Sequence, residues 1–232
     1  MDVAEFDTVA EEYQEQHRSN IAITGEAPEY FAEYKINLVR QFTGQKNIDA
    51  AHILDFGSGI GNSIPHFNRF FPAAKLTCAD VSQRSLDIAN SRFPGLGQNV
   101  RIEGAQLPFH DESFDVAFSA CVFHHIPHAE HVHWLKELRR VTRPGGIVAI
   151  FEHNPLNPLT VHAVNTCPFD VNAKLIRASN FVKTYQQAGW QRPSVRYHLF
   201  FPRALAALRG LERHLSRVAI GAQYSIVATK SH

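Results

Sequence analysis

Three alternating glycines follow a short apolar segment that contains Asp55. Gly57, Gly59 and Gly61 stand directly behind the run at 51–56. Glycine accepts positive φ and lets a ligand approach the backbone without meeting a Cβ. Where such a turn opens a helix, free N–H groups and the positive dipole end favour an anionic ligand group. Asp55 adds the opposite preference, because a carboxylate accepts hydrogen bonds from a cationic amine.

The spacing of the glycines discriminates between ligand classes. The dinucleotide motif G-x-G-x-x-G needs glycine at position 62, where Asn62 stands, and the Gly-Lys-Ser/Thr of a P-loop is absent. Asp55 would also repel a pyrophosphate. A ligand that carries both an ammonium and a carboxylate therefore fits this turn better than a dinucleotide. A tight strand–helix turn without a ligand is the structural alternative.

A second carboxylate, Asp80, ends the next apolar segment, 19 residues after Gly61. In nucleotide-binding α/β folds, an acid at this place hydrogen-bonds the ribose hydroxyls. Two carboxylate oxygens can serve two vicinal hydroxyls, so one residue can hold both. The structural alternative is an acid that precedes a helix capped by Ser82. The occurrence of Asp80 together with the glycine turn favours ribose binding over this alternative.

Histidines follow a later apolar segment at 114–120. His124 and His125 are candidates for taking a proton from a reacting group, because histidine titrates near neutrality. Packing within the loop is the alternative for both. His128 continues the cluster and would share a helical face with His124, but no acid or cysteine completes a known metal-ligand spacing. No metal is therefore expected.

Polar residues also follow the apolar segment at 146–151. Glu152, His153 and Asn154 open a stretch rich in asparagine and proline that extends to about residue 178. A loop this long in a compact domain is usually functional. We interpret this stretch as one wall of a pocket for a second reactant, the acceptor. His153 is among the polar residues expected to contact it. An ordinary connection with locally satisfied polar groups carries equal weight.

Strand and helix patterns alternate along the chain and would position these residues. Apolar runs predict strands, and amphipathic runs between them predict helices. The strands are predicted at 51–56, 75–80, 100–103, 114–120, 146–151, 194–200 and 222–229. The helices are predicted at 29–42, 64–71, 82–93, 128–141, 179–188 and 202–218. This order predicts an α/β fold whose ligands bind beyond the carboxyl ends of the strands.

Four motifs in this order resemble those of class I S-adenosylmethionine-dependent methyltransferases, in a branch similar to the ubiquinone/menaquinone methyltransferases. They are the Asp-x-Gly-x-Gly-x-Gly turn, Leu-Pro-Phe before Phe-Asp at 107–115, Phe-His-His-Ile at 123–126 and Arg-Pro-Gly-Gly at 143–146. The resemblance is close over about residues 50–152 and looser elsewhere. It implies a Rossmann-like, seven-stranded, mostly parallel sheet with helices on both faces and the last strand antiparallel.

The resemblance also implies that S-adenosyl-L-methionine is the cofactor, with its methionine part over the glycine turn. One departure affects the adenine end: Gly104 stands where the family usually has aspartate, so Glu103 or Gln106 would substitute for it. The predicted cofactor-binding residues are Asp55, Gly57, Ser58, Gly59, Gly61, Asn62, Asp80, Val81, Ala105, Gln106, Ser119 and Ala120.

Composition limits the class of protein. The chain has 232 residues, 44% hydrophobic and 19% charged, which suits one soluble globular domain. A formal net charge of +1 without a basic block argues against a nucleic-acid surface. Three widely spaced cysteines and a start without a signal-peptide pattern favour a reducing, cytoplasmic location. For the basic side of the 202–218 helix, a solvated face is favoured over a membrane surface.

The single domain is expected to have three parts. Residues 1–50 form a helical cover, 51–153 the cofactor-binding core, and 154–232 the acceptor-pocket loop and last strands. In the cover, Phe6, Asp7, Ala10 and Tyr13 match a start that relatives place over the cofactor pocket. Packing of these aromatic residues on the sheet is the equal alternative.

The sequence therefore predicts methyl transfer from S-adenosylmethionine to a small-molecule acceptor. A protein that binds the cofactor or its product without chemistry is the first alternative. A nicotinamide oxidoreductase is disfavoured by Asn62. Methylation of a lipid-linked acceptor at a membrane surface rests only on the basic helix. The acceptor atom and the oligomeric state are not readable from the sequence.

Overall fold

The computed structural model describes residues 24–231. The predicted contacts of Phe6, Asp7, Ala10 and Tyr13 lie outside the described residues. The strands are β1 (His52–Phe56), β2 (Lys75–Asp80), β3 (Gln98–Arg101), β4 (Phe114–Ala120), β5 (Thr142–His153), β6 (Gln191–His198) and β7 (Gln223–Thr229). The main helices are α1 (Pro28–Gln45), α2 (Ile64–Phe70), α3 (Gln83–Arg92), α4 (His131–Val141), α5 (Pro158–Thr166) and α6 (Ala178–Gln187).

The seven strands form one sheet in the order β3-β2-β1-β4-β5-β7-β6. The pairs among β3, β2, β1, β4 and β5 are parallel, whereas β7 runs antiparallel to both β5 and β6. The predicted mostly parallel sheet with an antiparallel last strand is confirmed. The chain reverses strand order between β1 and β4, which is where ligands of open α/β sheets bind.

Helices cover both faces of the sheet, as predicted. Alternate residues of β1 point to opposite faces, because side chains in a strand alternate. Leu54 packs with Trp134 of α4 and Phe181 of α6, whereas Ile53 packs with Ile36 of α1 and Phe67 of α2. The central strands are therefore buried on both sides, which accounts for their nearly continuous apolar sequence.

Helix α1 contacts both the sheet and the main cavity. Its Ile36 and Val39 are fully buried against the sheet. One side of the same helix, including Tyr30, Phe31 and Lys35, lines the main cavity. None of the helices within residues 24–231 is long and apolar enough to cross a bilayer.

Two predicted segments differ from the structure. The stretch 154–178 is not a structureless loop, since it contains α5, whose first turn is capped by the Asn157 side chain. The stretch 202–218 is not one long α-helix: a 3₁₀ helix, Arg203–Leu211, is followed by the single-turn α7, Glu212–Leu215. The apolar side of the 3₁₀ helix stays exposed, with Leu205 at 46% and Leu208 at 42%. Burial of an apolar face is the main source of helix stability in proteins, and it is missing here.

Smaller boundary shifts have local causes. Helix α4 begins at His131 because residues 128–130 behind Pro127 form a 3₁₀ turn. Strand β5 begins at Thr142, four residues before the predicted position at 146. The predicted cap of α3 is present, since the Ser82 hydroxyl accepts a hydrogen bond from the Ser85 N–H at 3.0 Å.

Candidate functional site

A cavity of about 400 Å³ lies at the carboxyl ends of the parallel strands. This volume is within the usual range of small-molecule sites. Residues at the ends of β1, β2, β4 and β5 line it, namely Asp55, Asp80, Ala120 and His153. Parallel strands bring their carboxyl ends to one edge, so the chemistry-bearing residues of four distant segments meet here.

The glycine turn adopts the left-handed backbone that its residue types predicted. Gly57, Gly59 and Gly61 have φ values of +74°, +52° and +79°. A Cβ on Gly57 would collide with the Val122 side chain, and one on Gly61 would lie 2.7 Å from Ile64 Cδ1. A Cβ on Gly59 would meet no atom within 4 Å. Gly57 and Gly61 therefore permit close packing, whereas Gly59 leaves space on the cavity side.

Asp80 connects the glycine turn to the start of α3. One carboxylate oxygen accepts from the Gly59 N–H at 2.8 Å, and the other accepts from the Ser82 N–H at 2.9 Å. The side chain is only 8% exposed and lines the cavity. These two hydrogen bonds fix its orientation at the end of β2.

Asp55 is a buried carboxylate at the end of β1. Its side chain lines the cavity, is 2% exposed and accepts a hydrogen bond from the Ser63 hydroxyl. Burial raises the pKa of Asp55 to about 7, with the charge of Asp80 adding to the rise and the Ser63 hydrogen bond opposing it. A cationic ligand group beside Asp55 would favour its charged form.

Most predicted cofactor residues meet at this end of the cavity. Its lining includes Asp55, Gly57, Ser58, Gly59, Asn62, Asp80, Val81 and Ala120. The Ser58 hydroxyl is buried and has no hydrogen-bond partner among the described residues. Asn62 also accepts a hydrogen bond from the Arg92 side chain at 2.9 Å, which ties the turn to the end of α3.

Four predicted cofactor residues do not line the cavity. Gly61 packs against α2 and α3, and Ser119 is fully buried within β4. Ala105 and Gln106 lie on an exposed segment after β3. Ile102 occupies the cavity wall nearest to them and was missed in the sequence, where an isolated isoleucine after a short strand gives no functional signal.

The three predicted catalytic histidines lie together at the other end of the cavity. His124, His125 and His153 all line it, and their rings are close: 4.2 Å separates the centroids of His124 and His125. The His124 Nδ1–H donates to Glu152 at 2.6 Å. Asp170, which the sequence did not single out, brings one oxygen to 3.4 Å from the Nε2 atoms of both His124 and His125.

The pKa values of the residues in this cluster are shifted in different directions. Burial disfavours a charged His124, but Glu152 and Asp170 outweigh burial and raise its pKa to about 10. Burial and the neighbouring His124 lower the pKa of His125 to about 4. Burial opposes ionisation of Asp170, yet His124 and the other nearby histidines lower its pKa to about 2. The cluster thus contains one imidazolium between two carboxylates.

Cys121 is a second residue that the sequence did not assign to the site. It lines the cavity with φ of +59°, and its Sγ accepts from Lys35 Nζ at 3.5 Å. Burial would raise the pKa of the thiol, but His153 and Lys35 outweigh burial and lower it to about 7. Lys35 comes from α1, so only the folded chain brings the two together.

The remaining polar candidates have structural partners. His131 is buried and its Nε2 donates to the carbonyl oxygens of Phe123 and Ile126. Asn154 donates from its amide to the carbonyl oxygens of Ala219 and Gly221. These contacts fix the loops after β4 and β5. His131 and Asn154 do not line the cavity.

The arrangement provides two chemically different ends within one cavity. The glycine turn and two carboxylates at one end suit a ligand with hydroxyl, ammonium and carboxylate groups. The histidines and Asp170 at the other end can accept or donate protons to a second molecule. Apolar side chains such as Val122 and Val164 line the same cavity. Such a cavity can hold two reactants next to each other.

Comparisons with known proteins agree with this arrangement. Residues 54–150 match the family model described as a methyltransferase domain. The phthiotriol/phenolphthiotriol dimycocerosates methyltransferase of Mycobacterium leprae is 29% identical over 202 residues, which are 82% of this chain and 72% of that protein. The ubiquinone/menaquinone biosynthesis C-methyltransferase UbiE of Hahella chejuensis is 30% identical over 126 residues, 51% of this chain and 50% of that protein.

A solved structure shows the same fold. A methyltransferase of Thermotoga maritima that depends on S-adenosylmethionine superposes with a TM-score of 0.60, at 19% identity, and the match covers 87% of this chain and 92% of that one. The fold, the order of the four motifs and the similar proteins lead to one assignment. Residues 54–150 therefore form a methyltransferase domain, and the chain has the fold of S-adenosylmethionine-dependent methyltransferases.

Proposed function

We propose that this protein transfers a methyl group from S-adenosylmethionine to a small molecule within the 400 Å³ cavity. The observation that carries the proposal is that one cavity joins the glycine turn and Asp80 to the histidines. In this proposal, residues 51–153 hold the cofactor and residues 154–232 supply most of the acceptor wall. The cofactor contributes a methyl group on a sulfonium, which is already activated for transfer.

The residues at the glycine turn fit the methionine part of the cofactor. Asp55 would accept a hydrogen bond from its ammonium group. The unpartnered Ser58 hydroxyl would donate to the carboxylate of the methionine part. The space beside Gly59 would admit the aliphatic carbons of the methionine part. Asp80 would accept from the ribose hydroxyls while it keeps its bonds to Gly59 and Ser82.

The adenine end rests on apolar contacts. Val81 and Ile102 line the cavity beyond Asp80 and would flank the base. Gly104 carries no side chain to bind the amino group, and Gln106 is exposed. We therefore propose that Ala105 and Gln106 contact adenine only when the exposed segment closes over the bound ligand.

The histidine end is proposed to hold the acceptor next to the methyl group. Correct alignment supplies ~7–11 kcal/mol in favourable cases, whereas one general base typically contributes about 10²–10⁴-fold in rate. Positioning is thus the main task of this cavity, and His125 and His153 contact the acceptor's polar group. One apolar part of the cavity lining reaches the surface, with Leu159 64% exposed and Phe200 and Phe201 half-buried, and we call this part the mouth.

The chemistry of the mouth suggests an acceptor that is apolar apart from the methylated group. The names of the relatives from M. leprae and H. chejuensis refer to lipid and quinone compounds, which have this character. Cys78, Cys121 and Cys167 form no disulfide in the described part of the chain, and this supports a reducing, cytoplasmic compartment.

Calorimetric titration with S-adenosylmethionine and S-adenosylhomocysteine tests the cofactor site. We expect one molecule bound per chain and at least tenfold weaker binding in Asp80→Asn, because the ribose loses its ionised acceptor. Asp111→Asn is the matched control, since this exposed aspartate pairs with Arg140 outside the cavity. The absence of heat with both ligands at pH 8 would refute the proposal.

A second measurement separates an enzyme from a binding protein. Incubation with methyl-labelled S-adenosylmethionine and a collection of hydrophobic hydroxyl, amine and carbon acceptors should transfer label to at least one class. Tight binding of S-adenosylmethionine without transfer to any acceptor would instead support the non-catalytic alternative.

A further inference from the structure

Three metal-ligating side chains converge at the acceptor end of the cavity. His124, His125 and Asp170 each offer one ligand atom, and these atoms lie within 4.8 Å of one another. All three residues also line the cavity. The sequence did not predict this set, because Asp170 is separated from His125 by 45 positions and has no recognisable ligand spacing to it.

The distances fit a cation better than hydrogen bonds. Asp170 Oδ1 is 3.4 Å from His124 Nε2 and equally 3.4 Å from His125 Nε2. Charge-assisted N–H···O bonds are usually shorter, about 2.7–2.9 Å. Tetrahedral ligands at roughly 2.0–2.1 Å from Zn²⁺ are separated by roughly 3.3–3.4 Å. The equal, long separations therefore match ligands that share one ion.

The surroundings of His124 match those of a metal-binding histidine. Its Nδ1–H donates to Glu152 at 2.6 Å, which directs Nε2 towards Asp170. Glu152 is in turn held by the backbone N–H groups of Val122 and Phe123 at 3.1 Å and 2.8 Å. A carboxylate behind the ligating imidazole is the usual partner in zinc sites, where it fixes the tautomer and ring orientation.

Backbone contacts hold the segment that carries Asp170 against the histidines. The Lys174 N–H donates to the His124 carbonyl oxygen at 2.8 Å. The Asp170 N–H donates to the Cys167 carbonyl oxygen at 3.1 Å, and the Ala173 N–H donates to that of Asp170 at 2.9 Å. The ligand set thus joins two segments whose relative position is defined before an ion enters.

We propose that His124, His125 and Asp170 bind one divalent transition-metal ion, with Zn²⁺ as the best match to two imidazoles and a carboxylate. Three protein ligands leave a fourth position open, which is the pattern of catalytic rather than structural zinc sites. The open position faces the cavity that the three ligands line.

The role of the ion rests on the proposed methyltransferase function. An acceptor hydroxyl at the open position would lose its proton to solvent water more readily, because the cation stabilises the oxyanion. The oxygen lone pair then forms the bond to the methyl carbon. The bond from that carbon to sulfur breaks, and its electron pair stays on sulfur, which leaves a neutral thioether. The acceptor class is therefore an alcohol or a phenol.

Metal binding can be tested with Co²⁺ and Zn²⁺ alone, before any acceptor is known. Chelator-treated full-length protein should bind one Co²⁺ per chain and show the visible absorption bands of a tetrahedral site. Zn²⁺ should displace the Co²⁺. We expect Asp170→Asn and His125→Gln to weaken binding at least tenfold, and Glu152→Gln to weaken it by about 10–100-fold through the lost support of His124.

His128→Gln is the matched control, because this exposed histidine is close in sequence but does not line the cavity, and its Nε2 hydrogen-bonds to the Lys174 carbonyl oxygen. It should bind Co²⁺ as the unaltered protein does. Thermal melting and S-adenosylhomocysteine titration of each variant show whether it is folded. Sub-stoichiometric Co²⁺ binding by the unaltered protein, or equal loss in His128→Gln, would overturn the metal site.

The same titrations keep the two proposals separate. Unchanged binding of S-adenosylhomocysteine with no Co²⁺ bound would reject the metal site and leave the methyltransferase proposal standing. Stoichiometric Co²⁺ without binding of either cofactor form would reject the methyltransferase proposal and leave the metal site standing.

Discussion

At the scale of single residues, the cavity depends on carboxylates whose environments differ. Asp80 accepts two backbone hydrogen bonds, from the N–H groups of Gly59 and Ser82. Asp55 has the Ser63 hydroxyl beside it and is almost fully buried near Asp80. The protein therefore holds a carboxylate that is half protonated near neutral pH at the place proposed for an ammonium group.

This difference predicts opposite pH dependences for stability and binding. The pKa of Asp55 is raised to about 7 from its ordinary value near 4, so the folded state without ligand binds a proton that the unfolded state has lost. The Asp55 contribution to the free energy of unfolding is therefore present below about pH 4 and is lost as the pH rises to about 7. Binding of S-adenosylmethionine should instead strengthen as the pH rises through 7, because its ammonium needs the carboxylate.

The variant Asp55→Asn tests whether these pH dependences of stability and binding come from Asp55. Denaturant unfolding at pH 5.5 and pH 8 should show a smaller fall in stability for the variant than for the unaltered protein. Titration calorimetry at both values should show weak, pH-independent binding in the variant. Identical pH slopes in the two proteins would contradict the assignment of the titration to Asp55.

At the scale of elements, the secondary structure predicted from the sequence was wrong in a segment that does not pack on the sheet. The leucines of 203–211 have helical spacing, but Leu205, Leu208 and Leu211 are 46%, 42% and 52% exposed. Residue Leu205 also leaves helical geometry, with φ of −111° and ψ of 24°. Spacing indicates which residues share a face, whereas burial depends on whether another element covers that face.

This predicts that Leu205→Gln and Leu208→Gln change the free energy of unfolding by less than about 0.5 kcal/mol. Leu135→Ala on α4 should cost about 2–5 kcal/mol, because Leu135 is fully buried in the core. Chemical denaturation of the three variants measures both effects. A loss above about 2 kcal/mol in either glutamine variant would show that the 3₁₀ helix packs on a covering surface after all.

At the scale of the whole molecule, the segment that precedes α1 meets the 3₁₀ helix at 203–211 beside the cavity. Arg209 donates to Glu26 at 2.7 Å and lies over the Tyr30 ring, 4.8 Å from its centroid. Arg203 donates to the Gly25 carbonyl oxygen at 3.3 Å. Residues from both segments line the cavity, so these contacts hold two parts of its wall together.

Breaking the contact should open the mouth without unfolding the sheet. Arg209→Ala is expected to cost about 1 kcal/mol, since the ion pair is partly exposed and the ring contact is modest, and this corresponds to about fivefold more frequent opening. Hydrogen exchange should become faster in residues 24–30 and 200–211 but not in β1. The neighbouring Arg213→Ala is the control, because Arg213 is exposed and contacts His214. Equal exchange in both variants would contradict this role of Arg209.

The sequence by itself determined the sheet, the helices on its faces and the place of the glycine turn and two aspartates on the cavity wall. These follow from local causes: apolar runs form buried strands, alternating glycines form the turn, and Asp80 ends the strand next to it. Each feature is encoded within about ten neighbouring residues. That is why the positions of Asp55, Gly59 and Asp80 on the cavity wall could be predicted, and why boundaries shifted only where 3₁₀ turns or exposed faces intervened.

Only the tertiary structure decided which other residues join the cavity wall. Asp170 reaches His124 across 46 positions, Lys35 reaches Cys121 across 86, and Ile102 enters the wall next to Val81. No local pattern marks such residues, because each is an ordinary aspartate, lysine or isoleucine until the parallel strands bring their carboxyl ends to one edge. Contacts between distant segments depend on the assembled sheet and on the helices packed on its two faces, and these form only when the whole chain folds.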